Sequence, residues 1–140
     1  MPCSYRVVGN GSLVIERWSG AVTHEELIAH KRQLALEPSI RKGAAVLTDC
    51  RAAAFATPVN MLHEVAAVDG DPANHTRIGR YAFLVEEPAY ERAQLFASQV
   101  SRYGVTVIVF TSLSVACQWL GVDAVDVQAL ITAMDTGTRA

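Results

Sequence analysis

The sequence predicts a single α/β domain built on one mixed, mostly parallel β-sheet with flanking helices. Three observations carry this reading. Gly9-Asn10-Gly11 separates two short apolar segments, the mark of an opening hairpin. Beyond it, strand-sized apolar runs alternate with capped amphipathic segments, as in repeated strand–helix units. The runs at 44–48, 78–85 and 105–110 are nearly continuous in apolar character, which suits strands covered on both faces.

The elements follow in order. Residues 5–8 and 13–19 form the hairpin, and Gly20 is expected to close its second strand. Thr23-His-Glu-Glu26 is a capping box, in which the threonine hydroxyl accepts from the helix backbone while Glu26 reaches back. Leu27, Ile28, Leu34 and Ala35 give the helix after it an apolar face, and Pro38 ends it. The strand at 44–48 leads into Asp49-Cys50-Arg51 and a small-residue connection, after which Thr57 reads as an N-cap and Pro58 as the first helical residue. Met61, Leu62, Val65 and Ala66 line that helix. A polar loop at 69–74 precedes the strand at 78–85. Glu87-Pro88 opens a third helix with Ala93, Phe96, Ala97 and Val100 inward and Gly104 beyond its end. Ser112 caps a short helix that stops at Gly121. Asp123 caps a last one bearing Val127, Leu130, Ile131 and Met134. Residues 1–135 are read as the domain and 136–140 as a flexible tail.

Composition limits the function. The chain has 140 residues, 51% hydrophobic and 19% charged, with a net charge of −2. The ten arginines among its twelve basic residues are scattered, which disfavours nucleic-acid binding. No apolar run is long enough to span a bilayer, and the opening residues lack the apolar core of a signal peptide. Three widely spaced cysteines without a C-x-x-C pair point to a reduced, cytoplasmic setting.

Few residues suggest chemistry. Asp49 and Arg51 stand at the carboxyl edge of a buried strand, where open α/β sheets place their working surfaces, and Arg51 could clamp an anion. A local ion pair explains the same two residues. Cys50 precedes an arginine that could activate its thiol, whereas a small buried hydrophobe is the plainer reading of both Cys50 and Cys117. His24, His30, His63 and His75 lack metal-ligand spacing and are read as solvated. No metal or cofactor is expected. The apolar stripe Val127, Leu130, Ile131 and Met134 either covers the sheet or makes a homodimer surface.

The chain resembles the STAS-like (SpoIIAA-like) domain family, whose fold is shared by anti-sigma-factor antagonists and CRAL-TRIO lipid carriers. The likeness spans about residues 5–120 and is carried by Gly20 with Thr23-x-x-Glu26, Val46-Leu47-Thr48-Asp49 with Arg51, and the helix entry at Thr57. Arg80-Tyr-Ala-Phe-Leu-Val85 and Phe110 with Ala116-x-x-Trp119-Leu120 complete it. The resemblance implies a non-enzymatic, bacterial, cytoplasmic domain that regulates through an unidentified protein partner, using the edge at Asp49, Arg51 and Thr57. It also implies a phosphorylation position at Thr57, although this chain reads Phe55-Ala56-Thr57-Pro58 where anti-sigma-factor antagonists carry an Asp-Ser pair. The wider fold relationship, with the small residues 52–56, implies the alternative of a module for a small apolar or lipid-like ligand.

Overall fold

The computed structural model describes residues 2–71 and 78–135. The expected tail at 136–140, His75 and part of the loop at 69–74 lie outside the described residues. Strand β1 (Cys3–Val8) pairs antiparallel with β2 (Leu13–Val22). Gly9, Asn10 and Gly11 turn the chain with φ of 61°, 57° and 89°, a run of left-handed residues that glycine and asparagine tolerate best. Three parallel strands follow, β3 (Ala44–Phe55), β4 (Ile78–Leu84) and β5 (Thr106–Phe110), and the five strands lie in the order β1-β2-β3-β4-β5. The expected mixed, mostly parallel sheet is the one observed.

Because every crossover steps the same way along the sheet, right-handed connections put the three crossover helices on one face. These are α1 (His24–Ala35), α2 (Leu62–Asp69) and α3 (Tyr90–Ser101). They bury Leu27, Val65, Phe96 and Val100 against Val14, Trp18, Val46 and Phe83 of the strands. The C-terminal helices α4 (Leu113–Leu120) and α5 (Ala124–Asp135) cover the other face over Ile15, Leu47, Ala82 and Leu84. Their local signals hold. Ser112 Oγ accepts from Val115 N, Gly121 takes φ 75° at the α4 C-cap, and Asp123 Oδ1 accepts from Val125 N and Asp126 N. The capping box of α1 is complete, with Glu26 N to Thr23 Oγ1 at 3.1 Å and Thr23 N to Glu26 Oε1 at 2.9 Å.

Two expectations are corrected, and one pair of alternatives is decided. Gly20 does not close β2, which continues to Val22 alongside a β3 that runs on to Phe55, so the supposed small-residue connection is strand. Thr57 is not an N-cap: Pro58 holds an extended ψ of 150° before a 3₁₀ turn (Val59–Met61), and α2 starts only at Leu62. Val127, Ile131 and Met134 do not form a dimer surface. They are buried against the sheet, with Leu130 packed beside them, because α5 supplies half of the second core layer.

A β-bulge sets which face the last residues of β3 meet. Arg17 pairs with Asp49 but Ser19 pairs with Ala52, so β3 carries one extra residue opposite Trp18. Side chains alternate between faces along a strand, and the extra residue reverses that alternation. Thr48 and Cys50 face α1–α3, and beyond the bulge so do Ala53 and Phe55.

Ile131→Ala should therefore destabilise the domain by about 3 kcal/mol, the usual cost of emptying a fully buried large aliphatic site. Urea denaturation checks this; a change near zero would mean that α5 is not core.

Candidate functional site

Three polar arrangements and one chamber stand out. The first surrounds Asp49. Its carboxylate has no solvent exposure and accepts from Arg17 Nη1 at 2.6 Å, Arg51 N at 3.1 Å, Arg51 Nε at 3.0 Å and Arg51 Nη2 at 2.9 Å. Arg17 also makes a fork to Asp135 at the end of α5, with both bonds at 2.8 Å. Every charge in the cluster is thus matched within the chain. They stand on the α4–α5 face.

Thr57 is on the opposite side of the sheet, beside α1 and α2. It is 1% exposed, and its hydroxyl shares a hydrogen bond of 3.1 Å with His24 Nδ1, whose Nε2 lies 3.6 Å from Glu64 Oε1. The expected edge of Asp49, Arg51 and Thr57 is therefore not one surface: the sheet divides it, and Thr57 is shielded from an enzyme in solution.

The second arrangement is buried beneath α1. His30 Nε2 lies 2.6 Å from Glu16 Oε2, and Thr48 Oγ1 donates to Glu16 Oε1 at 2.7 Å. Burial pushes the Glu16 carboxyl up, but the His30 hydrogen bond and charge, with Lys31 and Thr48, hold it below its ordinary value. Cys3 Sγ is 3.3 Å from the same His30 nitrogen, and the ligand atoms of Cys3, Glu16 and His30 all lie within 4.8 Å. A tetrahedral zinc ion would require Glu16 and His30 to move apart from 2.6 Å, because two such N and O ligands sit about 3.3 Å from each other. As arranged, the trio is a hydrogen-bonded core network, and His30 is buried rather than solvated.

Lys31 anchors the third arrangement. Its Nζ donates to both Asp69 oxygens at 3.1 and 2.9 Å, and Tyr81 OH donates to Asp69 Oδ1 at 3.3 Å. Burial lowers the Lys31 pKa, but Asp69 and Glu16 outweigh it and hold the ammonium charged. A cavity of about 20 Å³ beside Glu16, Lys31, Asp69 and Tyr81 has the size of a single water site.

The chamber lies between the C-terminal parts of β2–β4 and helices α1–α3, where α/β sheets usually place ligands. Its volume is about 120 Å³. Trp18, Phe55, Phe83 and Phe96 supply aromatic walls; Trp18 meets Phe55 edge-on at 5.5 Å, and Phe83 stacks on Phe96 at 5.3 Å. Ala53, Ala89 and Ala93 leave the space open. Among the described residues, Thr48, Cys50 and Thr57 line it with neutral polar or thiol ends, Lys31 and Arg92 are the charged ones, and no acidic residue lines it. Arg92 Nη2 is buried without a hydrogen-bond partner, and no other buried side-chain nitrogen or oxygen among the described residues shares that condition. Cys50 is no activated thiol, because burial, with Glu16 and Asp49 nearby, pushes its pKa up.

Sequence reasoning missed the buried network, and only the small residues at 52–56 pointed toward the chamber. The network had a signal: Glu16 alternates with Val14 and Trp18, Thr48 with Val46 and Cys50, and His30 shares the helical stripe of Leu27 and Leu34. Polar residues at inward positions announce buried partners.

Because the folded-state pKa of Glu16 is lowered, the stability it confers is present above its ordinary value of 4.5 and is lost as pH falls through the folded value. Glu16→Gln should cost about 3 kcal/mol at pH 7 and should flatten the stability curve below pH 4.5. Urea midpoints across pH 3–7 check this; parallel wild-type and variant curves would contradict it.

No family model matches the sequence, and no curated protein matches it. Among solved structures, the chain is similar to an uncharacterised protein from the DUF3478 family with a SpoIIAA-like fold from Shewanella loihica PV-4. The two share 16% identity over 84% of this chain and 91% of that one, with a TM-score of 0.54. Among the described residues no helix is long and apolar enough to cross a membrane. With the mixed sheet, the crossover helices and this likeness together, the domain has a SpoIIAA-like fold.

Proposed function

We propose that the domain is a non-catalytic binding module that takes a small, largely apolar molecule into the chamber beneath α1–α3. The observation that carries this is an aromatic-walled space of about 120 Å³ at the carboxyl ends of the parallel strands. An engineered apolar cavity of about 150 Å³ takes up benzene, so a single ring or a short acyl chain is the matching size. Binding of this kind needs no nucleophile, and the raised thiol pKa of Cys50 fits a site that holds its ligand unchanged.

Ligand binding ranks ahead of direct recognition of a protein partner through Asp49, Arg51 and Thr57. The Asp49 cluster satisfies its charges internally, and Thr57 is shielded. A regulatory role remains compatible, with chamber occupancy as the signal and the mouth of the chamber as the surface that responds.

Toluene should give a saturation-transfer NMR signal with the wild-type chain. Ala93→Leu, which places three further carbons in the chamber, should abolish it while leaving the melting temperature unchanged or higher. Toluene binding retained in Ala93→Leu, or absent from the wild type, would count against the chamber as the site.

A further inference from the structure

We propose that the ligand is a monocarboxylate, its short apolar body seated among the aromatic walls and its carboxylate paired with the Arg92 guanidinium. This rests on the chamber being the ligand site and adds the chemical class of what fills it.

The charges in and around the chamber support one negative charge. Among the described residues Lys31 and Arg92 are the two cations of the lining and no carboxylate lines it; Glu16, which stands behind the lining Thr48, is answered by His30. Lys31 is already matched, with both Asp69 oxygens within 3.1 Å. Arg92 Nη2 is buried and unpartnered. A buried donor left unmade is costly, and more so when it carries charge, so this nitrogen favours a ligand that brings an acceptor. Other buried polar groups of the region have partners: Thr48 donates to Glu16, and Thr57 bonds His24.

Backbone charge points the same way. Leu62 opens the eight-residue α2 and Arg92 lies in the first turn of the twelve-residue α3, and both residues line the chamber. Helix N-termini carry a partial positive charge that favours an anion nearby. A carboxylate matches a guanidinium in geometry and charge. A phosphate monoester would bring a second charge into an apolar space whose other cation is already neutralised, and buried unpaired charge is strongly disfavoured. An amine would meet the unpartnered Arg92 with like charge.

A matched series tests the assignment on the full chain by titration calorimetry at pH 7: hexanoate, hexanol, hexylamine and hexyl phosphate. Hexanoate should bind at least tenfold more tightly than hexanol, and hexylamine should not bind. Arg92→Met should erase the preference for hexanoate while preserving hexanol binding, which also reports that the variant is folded. If that variant does not fold, the wild-type series alone decides. Hexanol binding as tightly as hexanoate, a preference that survives Arg92→Met, or hexyl phosphate binding tightest would overturn the carboxylate and leave the chamber standing. Failure of the whole series together with toluene would overturn the chamber itself and the carboxylate with it.

Discussion

The bulge in β3 opposite Trp18 is the constraint on which the rest of the arrangement depends. One added residue between Asp49 and Ala52 switches which face each later side chain meets. Without it, Ala53 and Phe55 would share the face of Asp49 and Arg51, and the chamber would lose a wall. Asp49 holds the irregularity in place. It accepts the Arg51 backbone N–H inside the bulge, grips the Arg51 side chain, and ties both to Arg17 on β2. Through Arg17 the same cluster reaches Asp135, so the last turn of α5 is fastened to the strand irregularity on the face away from the chamber.

Charge on the inside of the domain is arranged so that nearly every group finds its match within the chain. Glu16 is answered by His30 and Thr48, Asp69 by Lys31 and Tyr81, and Asp49 by two arginines. Lys31 further lies over the rings of Tyr81 and Phe96, 5.6 and 5.4 Å from their centroids, which seats its stem between sheet and α3. Clusters closed in this way hold elements together and offer little to a ligand. Among the described residues Arg92 is the exception, and its position in a largely apolar chamber is what gives that chamber a chemical preference.

Much of the fold was legible because local signals and the global pattern agree. The Gly9-Asn10-Gly11 turn, the Thr23 capping box, and the caps at Ser112, Gly121 and Asp123 all stand where the sequence puts them. Where reading failed, partners distant in sequence decided the outcome. Alanines at 52–54 are weak strand formers, yet pairing with residues 19–21 makes them strand. Thr57-Pro58 has the chemistry of a helix start, but the hydroxyl turns to His24 and the helix begins at Leu62. The stripe on α5 shows that one face is buried without showing against what. The chamber had only the small residues at 52–56 as a trace, because emptiness leaves no motif.

A soaked crystal tests most directly whether the strand irregularity on one face supports a ligand chamber on the other. Crystals of the full chain exposed to 5-bromopentanoate should show an anomalous bromine peak between Trp18, Phe55 and Phe83, with the carboxylate against Arg92. A chamber closed by its own aromatic rings, with bromine bound only elsewhere on the molecule, would contradict it.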